Sequence, residues 1–260
     1  MKDILTEIVA NKYLEVERAK SSIALEEMVA ASRNLPPVRS MSQALAASKS
    51  GIIAEFKRRS PSKGWIKESA KASEIPASYA AAGASALSIL TDTAYFGGSL
   101  HDIEVSRPMV NIPIIRKEFI VDEYQLYEAR VVGADAVLLI ASALSKELCD
   151  SLTARAHEIG LEVLLELHHP SELHYITPLV EMVGINNRNL GSFHTDVENS
   201  FNLIEQLPEG VVKVSESGIS APDTVSSLRK VGYRGFLIGE NFMRTEQPGE
   251  ALKLFIDKIV

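Results

Sequence analysis

The chain has 260 residues, 46% of them hydrophobic and 23% charged, with a formal net charge of −7. That composition suits a soluble globular protein with a sizeable core, and the acidic balance argues against a general nucleic-acid binder, though a local positive pocket for a small anion stays open. The lone cysteine, Cys149, permits no internal disulfide and fits a reducing cytosol. The first residues carry acids and no apolar h-region, so they do not read as a signal peptide, and no stretch approaches the roughly 18 apolar residues of a membrane span.

Residues 1–50 read as a helical extension. Ile4, Ile8, Tyr13, Leu14 and Val16 recur at near-helical spacing, Pro36-Pro37 breaks the region, and residues 42–48 form a short helix before Gly51. From Gly51 onward, short apolar runs alternate with longer amphipathic stretches. The eight runs are 52–56, 86–90, 112–115, 136–140, 163–167, 182–185, 211–214 and 236–238. They are continuous rather than alternating, as expected of strands buried on both faces of a parallel sheet. The stretches between them, such as 121–132, 146–159 and 221–231, are long enough for crossover helices. Cys149 falls on one of these helices, where a catalytic role is not expected.

The junctions repeat. Val132-Gly133-Ala134-Asp135-Ala136-Val137 mirrors Ala82-Gly83-Ala84-Ser85-Ala86-Leu87, and Val231-Gly232-Tyr233-Arg234-Gly235-Phe236 is a looser copy. Glycine at a helix end followed by a strand is the turn expected of a repeated βα unit. Eight such units favour a closed (β/α)8 TIM barrel over an open doubly wound sheet. No G-x-G-x-x-G follows the first strand, and neither Gly97-Gly98-Ser99 nor Gly191-Ser192 supplies one, which weakens a dinucleotide-binding reading. We therefore expect one domain, with residues 51–260 as the barrel.

In such a barrel the active site lies at the C-terminal ends of the strands. Those ends carry Glu55 and Lys57, then Arg116-Lys117-Glu118-Phe119, Glu166-Leu167-His168, Asn186-Asn187-Arg188-Asn189, Ser215-Glu216-Ser217-Gly218 and Gly239-Glu240-Asn241. Strand alternation points Glu55 and Lys57 to the same side. Charges at buried strand ends are costly to desolvate unless paired, so a ring of structural ion pairs is the competing account. Two lysines and four glutamates converging on one rim favour chemistry instead. Ser217-Gly218-Ile219 and Ile238-Gly239-Glu240, in the last two loops, offer backbone donors for a phosphate. Ser60-Pro61-Ser62-Lys63-Gly64 is a polar first loop suited to an anionic ligand or a lid. Neighbouring His168 and His169 point to opposite faces of a strand and cannot chelate a metal from it. Trp65 is expected to pack on the barrel top.

The run Ile53-Ala54-Glu55-Phe56-Lys57-Arg58-Arg59-Ser60-Pro61-Ser62-Lys63-Gly64 closely resembles the first-strand signature of indole-3-glycerol phosphate synthases. Further matches follow in order: Leu90-Thr91-Asp92 with Phe96-Gly97-Gly98-Ser99, Ile115-Arg116-Lys117-Glu118-Phe119-Ile120, Leu165-Glu166-Leu167-His168, Gly184-Ile185-Asn186-Asn187-Arg188-Asn189-Leu190, Ser215-Glu216-Ser217-Gly218-Ile219 and Leu237-Ile238-Gly239-Glu240. Glu240 stands where some members carry serine, so a backbone N–H would have to meet the phosphate there.

The resemblance implies ring closure, decarboxylation and dehydration of 1-(2-carboxyphenylamino)-1-deoxyribulose 5-phosphate to indole-3-glycerol phosphate, in tryptophan biosynthesis. It implies Lys117 as the acid of ring closure, Lys57 as the partner of the substrate carboxylate and Glu166 as a general base. Glu55 and Glu216 would orient the lysines, with Asn186 and Arg188 shaping the pocket. Ser60, Ser217, Gly218, Gly239 and Glu240 would surround the phosphate. No metal or organic cofactor is expected, because proton transfers and electrostatics suffice. The expected partner is a small phosphorylated substrate, with no nucleic acid and no membrane. The protein is expected to be a cytoplasmic monomer, at most weakly associated with other tryptophan-pathway enzymes. A different phosphate-binding barrel, such as an isomerase, would show a Cys/Asp or Asp/Asp pair at these strand ends. A scaffold that had lost catalysis would not be expected to keep Lys57, Lys117 and Glu166.

Overall fold

The computed structural model describes residues 4–189, 191 and 193–260. Leu190 of the fifth motif, Ser192 and the first three residues, which are part of the stretch behind the leader-peptide expectation, lie outside the described residues.

Eight parallel strands close into a barrel: β1 (Ile52–Phe56), β2 (Ala86–Leu90), β3 (Ile114–Lys117), β4 (Ala136–Ile140), β5 (Glu162–Leu167), β6 (Met182–Asn186), β7 (Val212–Glu216) and β8 (Gly235–Ile238). Each pairs with its sequence neighbour, and β8 returns to β1 with Ile53 opposite Leu237. The repeated junctions are helix-to-strand turns. Gly83, Gly133 and Gly232 all adopt positive φ, at 95°, 90° and 119°, a region that side chains other than glycine rarely tolerate.

Alternation along each strand divides the apolar residues into two layers. Ile53, Ala86, Ile115, Ala136, Leu138, Leu164, Met182, Val214 and Leu237 fill the barrel interior. Ile52, Leu87, Ile114, Val137, Val163, Val183 and Phe236 face outward into the layer beneath the helices. Crossover helices include Ile75–Ala81, Leu100–Ser106, Tyr124–Val131, Lys146–Glu158, Glu198–Leu203 and Pro222–Lys230. The β5–β6 crossover is instead a 3-10 turn, Pro170–Tyr175.

Three strands run further than their apolar runs. β3 is displaced by two residues and takes in Arg116 and Lys117, β6 takes in Asn186, and β7 takes in Ser215 and Glu216. Arg116 is tolerated because it lies on the outer face fully paired: its guanidinium donates to the Gln125 carbonyl at 2.7 Å, the Glu128 carboxylate at 3.1 Å and Thr91 Oγ1 at 3.1 Å. It belongs to the wall of the barrel and not to the rim.

The N-terminal extension forms three helices, α1 (Ile4–Ser22), α2 (Leu25–Ser32) and α3 (Met41–Ala47). The buried stripe of α1 is Leu5, Ile8, Lys12 and Val16, while Tyr13 and Leu14 are exposed. The apolar stripe expected from the sequence is corrected there, because a lysine occupies one of its places. Helix α3 plugs the N-terminal end of the barrel. Met41 and Leu45 join the interior cluster, and Ser40 and Ser42 donate to Glu162 at the start of β5, at 2.6 and 2.8 Å.

Candidate active site

With the N-terminal end stoppered, the inward positions near the opposite ends of the strands form the site. Glu55, Lys117, Glu166, Asn186 and Glu216 share the parity of the interior apolar residues below them, so their polar groups stand in the layer above the core. They line a cavity of about 420 Å3. Lys57, Ser60, Arg188, Ser217, Gly218, Gly239 and Glu240 complete its polar side, so every site residue expected from the sequence lies on one pocket. Glu118 is oriented differently from the other rim carboxylates. Its carboxylate accepts from Thr91 Oγ1 at 2.7 Å and lies 3.0 Å from Lys12 Nζ.

Two ammonium groups hold the centre. Lys117 Nζ donates to Glu166 Oε2 and to Glu216 Oε2, both at 2.7 Å. Lys57 Nζ sits 2.6 Å from Glu55 Oε1. Two glycines make room for these carboxylates: a Cβ on Gly184 would stand 2.2 Å from Glu216 Oε1, and one on Gly239 would stand 2.5 Å from Glu55 Oε1. Asn186 Nδ2 donates to the second oxygen of Glu166, Oε1, at 3.0 Å.

Burial opposes the charge on Lys117, but Glu166, Glu216 and Glu55 outweigh it and hold the ammonium protonated well above the usual lysine range. Burial also opposes ionisation of Glu166, yet Lys117, then His168, pull its carboxyl down to about 2. Glu216 goes the other way. Burial pushes it up to about 8, the charges of Glu166 and Glu55 add to the rise, and Lys117 offsets only part of it. The three groups are therefore driven apart, Lys117 towards the cation, Glu166 towards the carboxylate and Glu216 towards the protonated acid.

The rim is braced by second contacts. Arg58 grips Asp102 with two bonds of 2.6 and 2.8 Å, and Arg59 N donates to the Phe96 carbonyl, so the first loop is tied to the second. Trp65 packs against Gly97, where a Cβ would meet its ring at 2.8 Å, with Arg59 over its face. Ser217 and Gly218 both adopt positive φ, at 67° and 74°, and Asn187 Nδ2 secures that turn through the Ser217 carbonyl at 3.0 Å. A serine held there is an uncommon conformation, of the kind that collects at ligand sites.

Residue-type reasoning had not assigned the apolar side of the pocket. Leu138, Ile140 and Leu237 form part of its lining, with Phe96 and Phe119 beside them and Ile4, Leu5 and Ile8 contributed by α1. Aliphatic residues on a helix at the far N-terminal side of the first strand carry no signal of their own. The α1 contribution is anchored by Lys12, which is 3% exposed. It lies 2.9 Å from Asp92 and 3.0 Å from Glu118. Asp92 in turn accepts from the backbone of Tyr95 and Phe96, and Glu118 accepts from the Phe119 backbone.

A family model described as indole-3-glycerol phosphate synthase matches residues 5–255. The chain belongs to the indole-3-glycerol phosphate synthase family. It is 63% identical over 259 residues to the Bacteroides thetaiotaomicron protein of that name, with all of both chains covered. It is 43% identical over 256 residues to the Burkholderia ambifaria protein, covering 97% of this chain and 98% of the other. Among solved structures, the 3-hexulose-6-phosphate synthase of Salmonella typhimurium aligns with a TM-score of 0.62 at 11% identity, covering 80% of this chain and 98% of the other. A tryptophan synthase alpha-subunit of Pyrococcus furiosus aligns with a TM-score of 0.60 at 14% identity, covering 81% and 97%. At such identities the likeness speaks to the barrel alone.

Within the indole-3-glycerol phosphate synthase barrel, the other sites weighed from sequence fall away from the pocket. Cys149 is buried on its helix, and burial lifts its thiol to about 11, far from a thiolate at neutral pH. His169 is exposed, whereas the His168 side chain is largely enclosed beside Glu166. Among the described residues no helix is long and apolar enough to cross a membrane.

Proposed function

We propose that the chain closes, decarboxylates and dehydrates 1-(2-carboxyphenylamino)-1-deoxyribulose 5-phosphate to indole-3-glycerol phosphate, and that the residues above do so in the following way. The observation that carries this reading is the Lys117 ammonium, fixed between Glu166 and Glu216 in a half-apolar pocket. Attack of the aromatic carbon on the substrate ketone builds negative charge on the carbonyl oxygen. Lys117 stands ready as a cation to protonate it, and the alkoxide is basic enough to take that proton. The new bond forms at the carbon that bears the carboxylate. Loss of carbon dioxide then returns the electron pair to the ring.

Dehydration removes the new hydroxyl as water and one proton from the neighbouring carbon. Lys57 meets the substrate carboxylate first and supplies the proton for the departing hydroxyl. Glu166 takes the carbon-bound proton. Its basicity rises at that point, because the cation that depressed it has given its proton away. The collected proton lies one hydrogen bond from the Lys117 amine, so the pair resets itself, and solvent restores the proton lost by Lys57.

Phe119, Leu138 and Ile140 offer the aromatic ring an apolar surface. Ser60, Gly218, Gly239 and Glu240 surround the phosphate, where the loops after β7 and β8 and the short helix Glu240–Met243 meet. Arg188, whose Nη1 lies 3.4 Å from Ser62 Oγ, joins the first loop to the sixth across the pocket. We place the protein in the cytoplasm, in keeping with its lone free cysteine, and expect it to act as a monomer.

The test is direct. Purified protein incubated with the substrate should develop indole fluorescence, and Lys117→Ala should lose at least about 100-fold in kcat with substrate affinity largely kept. Absence of fluorescence at high enzyme concentration defeats the activity. Near-normal turnover of Lys117→Ala removes that residue from the mechanism.

A further inference from the structure

His168 follows Glu166 by two residues and is the most deeply placed imidazole near the site. Its side chain is 8% exposed, and Nε2 stands 3.3 Å from Glu166 Oε1. Among the described residues neither ring nitrogen has a hydrogen-bond partner. A buried imidazole left without partners costs free energy unless it is used at some stage. Catalytic hydrogen bonds are often misaligned in a free enzyme and tighten when substrate is bound.

The backbone that carries this ring is held on both sides. Glu172 accepts from the N–H groups of His168 and His169, at 2.6 and 3.0 Å. Asn199 Nδ2 donates to the His168 carbonyl and to the Asn186 carbonyl, both at 3.2 Å. His168 and Asn186 are thus spanned by one side chain, and both turn toward the same oxygen of Glu166. The ring does not line the substrate pocket.

The two oxygens of Glu166 therefore have different neighbours. Oε2 faces Lys117 alone, whereas Oε1 faces Asn186 and His168. Once Lys117 has given up its proton, Oε2 loses its strongest partner and becomes the oxygen able to accept a proton. Only donors on Oε1 then keep the carboxylate from rotating. Asn186 supplies one such bond, and a glutamate carboxylate at the end of three single-bond rotors needs a second to fix its plane.

Resting on the assignment of Glu166 as the base, we propose that His168 is a positioning residue for dehydration: it donates from Nε2 to Glu166 Oε1 and, with Asn186, keeps Oε2 aimed at the substrate. The step requires the Nε2–H tautomer and moves no proton onto the ring.

Three enzymes test this: His168→Leu, which keeps the bulk and removes the donor; His168→Gln, whose amide nitrogen can stand where Nε2 does; and Glu166→Gln. Each is assayed with ordinary substrate and with substrate deuterated at the carbon that loses its proton. His168→Leu should lose about 10- to 100-fold in kcat with KM changed by less than about threefold. Its deuterium isotope effect on kcat should exceed that of the wild type, because proton removal has become slower. His168→Gln should recover most of the loss. A His168→Leu enzyme within twofold of wild type, with an unchanged isotope effect, overturns the proposal, as does a loss in which His168→Gln is no better and the isotope effect stays flat. Glu166→Gln separates the two claims: if it is dead while His168→Leu is unaffected, only the role of His168 fails. If Glu166→Gln stays active, the base assignment fails and the proposal falls with it.

Discussion

At the scale of single residues, the site works because like groups are given unlike surroundings. Glu166 and Glu216 share one lysine, yet Glu166 is held ionised with a carboxyl near 2 and Glu216 is lifted to about 8. Each shift has a sign in stability. An unfolded glutamate titrates near 4.3, so between that pH and about 8 the native state holds a proton on Glu216 that the unfolded chain does not. Its contribution is full below about pH 4 and is lost as pH rises through 8. Glu166 contributes in the opposite sense, fully above the unfolded value and progressively less as pH falls toward 2. Glu216→Gln removes the first dependence and leaves the second. The unfolding free energy of that variant, relative to wild type, should rise steadily from pH 5 to pH 8 in denaturant titrations, with a slope of up to about 1.4 kcal/mol per pH unit. A difference that stays flat over that range would show that Glu216 is not the group being titrated. These identities were legible in the sequence because charged residues at the ends of buried strands have few innocent explanations. The pairing was not legible: nothing in Lys117, Glu166 and Glu216 as letters says which lysine meets which glutamate.

At the scale of elements, the apolar runs locate the eight strands, and only β3, β6 and β7 end one or two residues beyond them. Those three runs stop at the first polar residue, whereas a strand stops where its hydrogen bonding stops. Arg116 continues β3 because Gln125, Glu128 and Thr91 satisfy it from outside. The chemistry thus stands on the last rungs of the strands, which hold it more firmly than loops would. Gly184 shows how a strand serves a neighbour. It lies inside β6, where glycine weakens a strand, and its missing side chain is the space that Glu216 fills. Gly184→Ala should leave the barrel folded, because the obstructed atom is the far end of a movable side chain. The displaced carboxylate must leave Lys117, so kcat should fall by about tenfold or more while the melting temperature moves little. Parallel thermal melts and steady-state rates check the split, and a variant that keeps its rate would show that the Glu216 contact is dispensable. The buried stripe of α1 was misjudged for a related reason. Periodicity counts apolar residues, so it includes Tyr13 and Leu14 and passes over Lys12.

At the scale of the molecule, the barrel separates what stabilises it from what reacts. Helix α3 fills one end with Met41 and Leu45, both fully buried, and the charged layer fills the other. Met41→Ala should therefore cost about 2–5 kcal/mol of stability through the cavity it leaves. Its KM should match the wild type when assayed well below the melting temperature. Denaturant unfolding together with steady-state kinetics would test this, and a shifted KM would show that the two ends communicate. The eight-unit rhythm was legible because it repeats. The closure of the N-terminal end was not, since it comes from a helix that precedes the rhythm and carries no repeat.

The contact of Lys12 with Asp92, 80 residues away along the chain, also sets an order of assembly. An ammonium cannot enter a dry cleft ahead of its counter-ions, and Asp92 and Glu118 take their places only when β2 and β3 have paired. The seating of α1 thus closes a long-range loop and depends on the edge where β2 meets β3. Without that pair of carboxylates the pocket would lack its apolar wall from α1. The lysine on the stripe ties completion of the substrate pocket to the pairing of those two strands.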